Sequence, residues 1–261
     1  MERGTITTDR FEMDYCRFGN GKKNLVILPG MSIKPVTPMA EAIAQAYDLF
    51  TKDYTVYLFD RKKDMEYGYS AEDMAEDTYQ AMQKLGIDRA SIFGVSQGGM
   101  MALALAVDHP EFVEKLVPGS TLARKNEAEE RCMTEWIMLA KKKDAAALNR
   151  SFRKTVYSDE YLNMFEAAFR AVENDVNDDE FRRTEILAQA CLDFDIYDRL
   201  DRITCPVFVL GSWKDKALTG KASVELAERL QCRLFMYEGY SHAVYDEAPD
   251  YKEKVLEFLN Q

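Results

Sequence analysis

An α/β architecture, a mostly parallel sheet flanked by helices, follows from three features of this chain. Short apolar runs recur at residues 24–28, 56–59, 91–93, 207–210 and 234–237. Their apolarity is continuous rather than alternating, which predicts strands covered on both faces. Helical periodicity fills most of the gaps between them, so strand and helix alternate as right-handed crossovers require. One block, residues 122–200, holds no convincing strand and predicts a helical insert of about four helices. The core is then 1–121 together with 201–261.

Each element has a local cause. The first twenty residues, through 11–18, alternate moderately and close in Gly19-Asn20-Gly21, predicting one or two antiparallel edge strands and a tight turn. The run 24–28 stops at Pro29-Gly30. Thr37-Pro38 offers an N-cap with proline at the first helical position, opening a helix to about Phe50. Ser70-Ala71-Glu72-Asp73 resembles a capping box. Its helix is predicted to bury Met74, Thr78, Met82 and Leu85 and to end at Gly86. The run 91–93 leads into Gly94-Val95-Ser96-Gln97-Gly98, followed by a helix over 97–107 that is apolar nearly all round and therefore central. Leu116-Val117 is a shorter strand candidate.

In the insert, Met133, Trp136, Ile137 and Ala140 form one helical stripe, and Tyr161, Phe165, Phe169 and Val172 another. Acidic breaks at 158–160 and 174–179 punctuate them. No flexible linker flanks the block, so it is expected to pack on the core. Tyr251, Val255, Phe258 and Leu259 mark a last helix.

Composition narrows the function. The chain has 261 residues, 47% of them hydrophobic, enough for one α/β domain or a core with an insert. A formal net charge of −11 disfavours nucleic acid, and Lys141-Lys142-Lys143 reads as the cation-favoured end of a helix. Apolar stretches fall short of the roughly 18 residues a membrane span needs. Met1-Glu2-Arg3-Gly4-Thr5 has no signal-like apolar region, and the five cysteines are odd in number with no Cys-x-x-Cys pair. A cytoplasmic location is therefore expected. Two histidines and no ligand-spaced cysteines predict no metal site. There is no Gly-x-Gly-x-x-Gly after a strand. Gly220-Lys221 is not a phosphate loop, because Asp215 and Ala222 stand where glycine and Ser/Thr are needed. No cofactor is expected, and the partner is a small-molecule substrate.

Gly94-Val95-Ser96-Gln97-Gly98, between an apolar strand and an apolar helix, has the form of a nucleophile elbow. A serine hydroxyl needs a base, and the base needs an orienting acid. His109, before Pro110 at a helix end, is explained by capping. His242, in Glu238-Gly239-Tyr240-Ser241-His242 after the last strand, is the better base. Asp215 stands in the loop following the strand 207–210, where catalytic groups of open α/β sheets collect. Asp193, Asp195 and Asp201 are alternatives that look like solvated turns. Backbone N–H groups of Gln97 and Met31 are nominated for the oxyanion hole.

These stretches resemble the α/β-hydrolase family with a helical cap, along essentially the whole chain. The resemblance rests on residues 26–31, 93–99, 206–215 and 239–243, with 106–117 resembling the family's helix-to-strand segment. It implies Ser96, Asp215 and His242 as triad, Met31 and Gln97 as oxyanion hole, and 122–200 as cap. Two departures stand out. Pro29-Gly30 replaces the family's common His-Gly, and the Asp-x-Arg-Gly-x-Gly-x-Ser run survives only loosely in Asp60-Arg61 and Gly68-Tyr69-Ser70. Both bear on substrate class.

Among insert residues, Met133, Trp136, Met138, Phe152, Tyr157, Phe165 and Phe169 are candidates to line an acyl or aryl pocket, with Trp136, Phe165 and Phe169 nominated for substrate contact. The leading expectation is a serine hydrolase of carboxylesterase type acting on a small or medium apolar ester. Alternatives are a C–C or amide hydrolase of the same fold, or a non-catalytic member that senses a small molecule.

Overall fold

Along each central strand, side chains point alternately into two different hydrophobic clusters. In β3 (Lys23–Leu28) Leu25 and Ile27 pack on one side of the sheet, Val26 and Leu28 on the other. The same division separates Val56 and Leu58 from Tyr57 and Phe59 in β4 (Tyr54–Lys62), and Ile92 from Phe93 in β5 (Ala90–Val95). Both faces are covered, which is why these strands read as unbroken apolar runs. The computed structural model describes all 261 residues.

The sheet has eight strands in the order β1-β2-β4-β3-β5-β6-β7-β8. The edge strand β1 (Glu2–Thr7) pairs antiparallel with β2 (Glu12–Phe18), which pairs antiparallel with β4. From β4 through β6 (Val113–Gly119), β7 (Phe208–Ser212) and β8 (Arg233–Tyr237) all pairs are parallel. The chain leaves β3 for β4 on one side and returns to β5 on the other. That reversal opens a crevice at the carboxyl ends of β3 and β5, where ligands bind in sheets of this kind.

One layer of helices comprises α1 (Ala40–Ala46) and α11 (Tyr251–Asn260); the other comprises α2 (Ala71–Lys84), α3 (Gln97–Asp108) and α9 (Gly220–Leu230). The Ser70–Asp73 capping box is present, and Gly86 follows with φ +69°. Met74, Thr78 and Met82 are buried as expected, while Leu85 is only partly so. The expected helix from Thr37 to Phe50 is broken into two 3-10 turns around the short α1. Thr37 does not cap it. The Thr37 N–H and hydroxyl instead donate to the buried Asp60 carboxylate, and that competing acceptor pulls the segment out of helical register.

Between β6 and β7 lie five α-helices rather than about four: α4 (Glu127–Lys141), α5 (Ala145–Val156), α6 (Asp159–Met164), α7 (Glu166–Ala171) and α8 (Asp178–Asp193). The stripe Tyr161-Phe165-Phe169-Val172 does not ride on one helix, because α6 stops before Phe165 and α7 begins after it. The only β pairing in this block is an isolated bridge between Arg124 and Asp195. A short α10 (Val244–Glu247) precedes α11. No helix is long and apolar enough to cross a membrane.

Candidate active site

Ser96 sits between β5 and α3 with φ 53° and ψ −125°, a strained backbone for a residue with a Cβ. Glycine is required on either side by close approach. A Cβ on Gly94 would stand 2.2 Å from the Gly98 carbonyl oxygen, and one on Gly98 would stand 2.0 Å from that of Leu28. The strain is held from outside: Ser96 N–H donates to Gly119 O at 2.9 Å, and Thr121 Oγ1 donates to Ser96 O at 2.8 Å. The Ser96 side chain is thereby presented at the crevice.

Asp215 lies in the turn after β7, where its Oδ1 accepts from the Ala217 and Leu218 N–H groups, both at 2.8 Å. Its Oδ2 meets His242 Nδ1 at 2.8 Å, with both side chains almost fully buried. The carboxylate fixes the imidazole proton on Nδ1 and leaves Nε2 as the free base. The histidine loop is clamped by α5, through Ala243 N–H to Val156 O at 2.8 Å and Ser241 Oγ to Thr155 O at 3.3 Å. His109 is elsewhere. Its Nε2 contacts Glu76 at 2.8 Å and its ring stacks on Tyr79 at 3.6 Å.

The Gln97 N–H, first of a helix, and the Met31 N–H, in the loop after β3, have no acceptor in the protein. The Gln97 side chain turns the other way. Its Nε2 donates to Leu187 O of α8 at 2.7 Å, while its Oε1 accepts from Arg61 Nη2 at 3.0 Å. Arg61 Nη2 also donates to Pro29 O at 2.8 Å, so this buried guanidinium joins the loop after β3 to the elbow. Burial, with repulsion from Arg183, brings Arg61 down to about 10. Ser96, His242, Gly30 and Met31 all border one cavity of about 400 Å³, lined mostly by hydrophobic residues.

Comparison with known proteins agrees with this fold. Residues 25–131 match the sequence profile of the alpha/beta hydrolase fold. The chain is 32% identical over 193 residues to "Putative carbamate hydrolase RutD" of Caulobacter sp. (strain K31), covering 72% of this chain and 71% of that protein. The chain belongs to the α/β-hydrolase family. Among solved structures similar in fold, MGS-M2, an α/β-hydrolase enzyme from a Medee basin deep-sea metagenome library, superposes with a TM-score of 0.88 at 21% identity, covering 99% of this chain and 98% of that one. The enol-lactonase from Burkholderia xenovorans LB400 superposes with a TM-score of 0.85 at 20% identity, over 99% and 100%.

In this α/β-hydrolase the insert supplies much of the cavity wall, though not by all the residues expected. Met133, Trp136, Phe152 and Tyr157 line it; Met138, Phe165 and Phe169 do not. The break at Phe165 explains the correction. Tyr161 turns toward the cavity, Phe165 is 40% exposed, and Phe169 packs on Tyr157 and under Arg153. Trp136 is buried against Phe152, with its Nε1 donating to Ser151 Oγ at 3.2 Å.

Sequence reasoning missed Ile43 of α1, Tyr47 just after it, Cys191 of α8, Asp246 and Glu129, all in the wall. Burial pushes Glu129 from its ordinary 4.5 up to about 8 and Asp246 up to about 6. A raised carboxyl makes the folded state hold a proton that the unfolded chain has released. Stability therefore falls as pH rises from about 4.5 toward 8. Glu129→Gln is expected to remove part of that fall, which is on the order of 5 kcal/mol at most. Urea denaturation of both proteins at pH values across that window would reveal it, and parallel pH profiles would rule it out.

Proposed function

We propose that this enzyme hydrolyses a small or medium, largely apolar ester through an acyl-enzyme on Ser96. The observation that supports it best is the Asp215–His242 pair, whose free Nε2 borders the same apolar cavity as Ser96. His242 Nε2 takes the Ser96 proton as Oγ attacks the acyl carbon. The Met31 and Gln97 N–H groups receive the resulting oxyanion, an interaction worth about 3–4 kcal/mol per donor. The tetrahedral adduct collapses as His242 returns the proton to the leaving alcohol. Water then gives its proton to His242 and attacks the acyl-enzyme, and release of the acid restores Ser96. In this reading residues 122–200 act as a cap whose aromatic residues hold the acyl or alcohol portion. No lysine or arginine lines the cavity, so an anionic substrate group would lack a partner there.

A second reading is cleavage of a carbamate by the same residues. It is favoured by the 32% identity to the relative named as a carbamate hydrolase. A fluorophosphonate probe is expected to label wild-type Ser96 and neither Ser96→Ala nor His242→Ala. Absence of labelling in folded wild-type protein would remove the hydrolase reading altogether. Nitrophenyl esters of increasing acyl length, run beside the matching nitrophenyl carbamates, then separate the two substrates. Turnover of the carbamates alone would overturn the ester assignment.

A further inference from the structure

The cavity wall holds one polar group that the hydrolytic steps leave idle. Glu129, in the first turn of α4, is fully buried and borders the same cavity as Ser96 and His242. Neither of its carboxyl oxygens has a hydrogen-bond partner. The Asn126 backbone N–H and the exposed Lys125 lie near enough to oppose its upward shift, but neither bonds to it. From the other elements it is faced by the thiol of Cys191 on α8, while Cys132 lies one turn along α4. Asp215 lies near the same cysteine, and Arg61 is engaged by Pro29 and Gln97. No cation of the wall can neutralise Glu129. Buried polar groups are almost always paired, so one left unpaired at a ligand cavity points to a partner in the ligand.

We propose that Glu129 sets substrate specificity by hydrogen-bonding an amide-type group, a carbonyl with an adjacent N–H, on the substrate. Carboxamides, carbamates and ureas share that chemistry. A carboxyl held neutral at pH 7 carries a donor and an acceptor side by side. Its O–H donates to the substrate carbonyl while its own carbonyl oxygen accepts from the N–H. A carboxylate on the substrate meets no cation, and an alkyl group leaves Glu129 unpaired, so both are selected against. The proposal rests on the Ser96 reading only in placing the substrate in this cavity.

The test compares para-nitrophenyl glutaramate with its isostere in which isopropyl replaces the carboxamide. Wild-type protein is expected to favour the glutaramate in kcat/KM. The ratio of the two substrates should fall about 10- to 100-fold in Glu129→Met and persist in Glu129→Gln. Above about pH 8 the wild-type ratio should decline while that of Glu129→Gln stays level. Taking a ratio cancels any pH dependence of the chemical step, which both substrates share. Glu129→Met should melt no lower than wild type, because it removes an unpaired buried carboxyl; a merely structural glutamate would give the opposite. Equal ratios in wild type and Glu129→Met overturn the proposal, as does a wild-type ratio near one. Failure of the hydrolase reading looks different, with neither ester cleaved and Ser96 unlabelled. In that case calorimetric binding of the two intact esters to wild type and Glu129→Met reads the same ratio.

Discussion

Ser96→Ala is expected to lower kcat on a nitrophenyl ester by about 10⁶-fold, and His242→Ala by a similar factor. The two should not be additive, because the proposed mechanism makes nucleophile and base one unit and either loss removes the same step. Asp215→Asn should cost about 10⁴-fold, since a neutral amide no longer dictates the His242 tautomer. Its Oδ1 bonds to Ala217 and Leu218 can survive in asparagine, so the turn should stay folded. His109→Gln is the control: that ring is committed to Glu76 and Tyr79 and does not border the cavity. Steady-state kinetics on purified variants with matching circular dichroism decides the matter. Retention of more than a trace of activity in His242→Ala would remove His242 as base.

The elbow, the strands that flank it and the loop positions of Asp215 and His242 were legible because each is encoded locally. Gly94 and Gly98 are forced by contacts within a few residues of Ser96 and with β3. Only two histidines competed, and only one followed a strand. What stayed hidden depends on burial decided by distant segments. Glu129 stands in Glu127-Ala128-Glu129-Glu130, which reads as a solvated acidic first turn favoured by the helix dipole. Only the packing of α4 against α8 shows that this one carboxyl is enclosed. Arg61 was visible as a remnant of a family run, yet its bonds to Pro29 and Gln97 span 32 and 36 residues of sequence. The chain that lacks a histidine before Gly30 ties the same loop down by its carbonyl instead. The stripe through Phe165 misled for the converse reason. Periodicity predicts a face, but it does not reveal that the helix carrying the face stops midway.

The largest stability effect is expected at Asp60. This carboxylate, at the end of β4, accepts from Val36 N–H at 2.7 Å, from Arg61 N–H at 2.8 Å and from Arg183 Nη2 of α8 at 2.9 Å. Burial pushes its pKa up, but Arg183 and the backbone donors outweigh burial and hold it below the usual range. The pair is almost wholly enclosed, at 3% and 8% exposure for the Asp60 and Arg183 side chains. Asp60→Ala strands a buried guanidinium and two loop N–H groups, and is expected to cost about 3–5 kcal/mol. Against a total of about 5–15 kcal/mol for an ordinary domain, that is a large share. The linkage has a definite sign. A lowered carboxyl pKa contributes stability above the unfolded value and loses it as pH falls through the folded one, so the wild-type advantage over Asp60→Ala should shrink in acid. Adding Arg183→Met removes the stranded charge and should recover much of the loss, because replacing both members of a buried pair costs far less than breaking it. The double variant would still lack the link between β4, the loop at Val36 and α8. Since α8 also receives the Gln97 side chain at Leu187, that variant should be stable yet slow, with kcat reduced more than KM is raised. Urea denaturation and kinetics on the two single variants and the double would test this, and a double variant with wild-type kcat would show that the pair holds the fold without positioning the elbow.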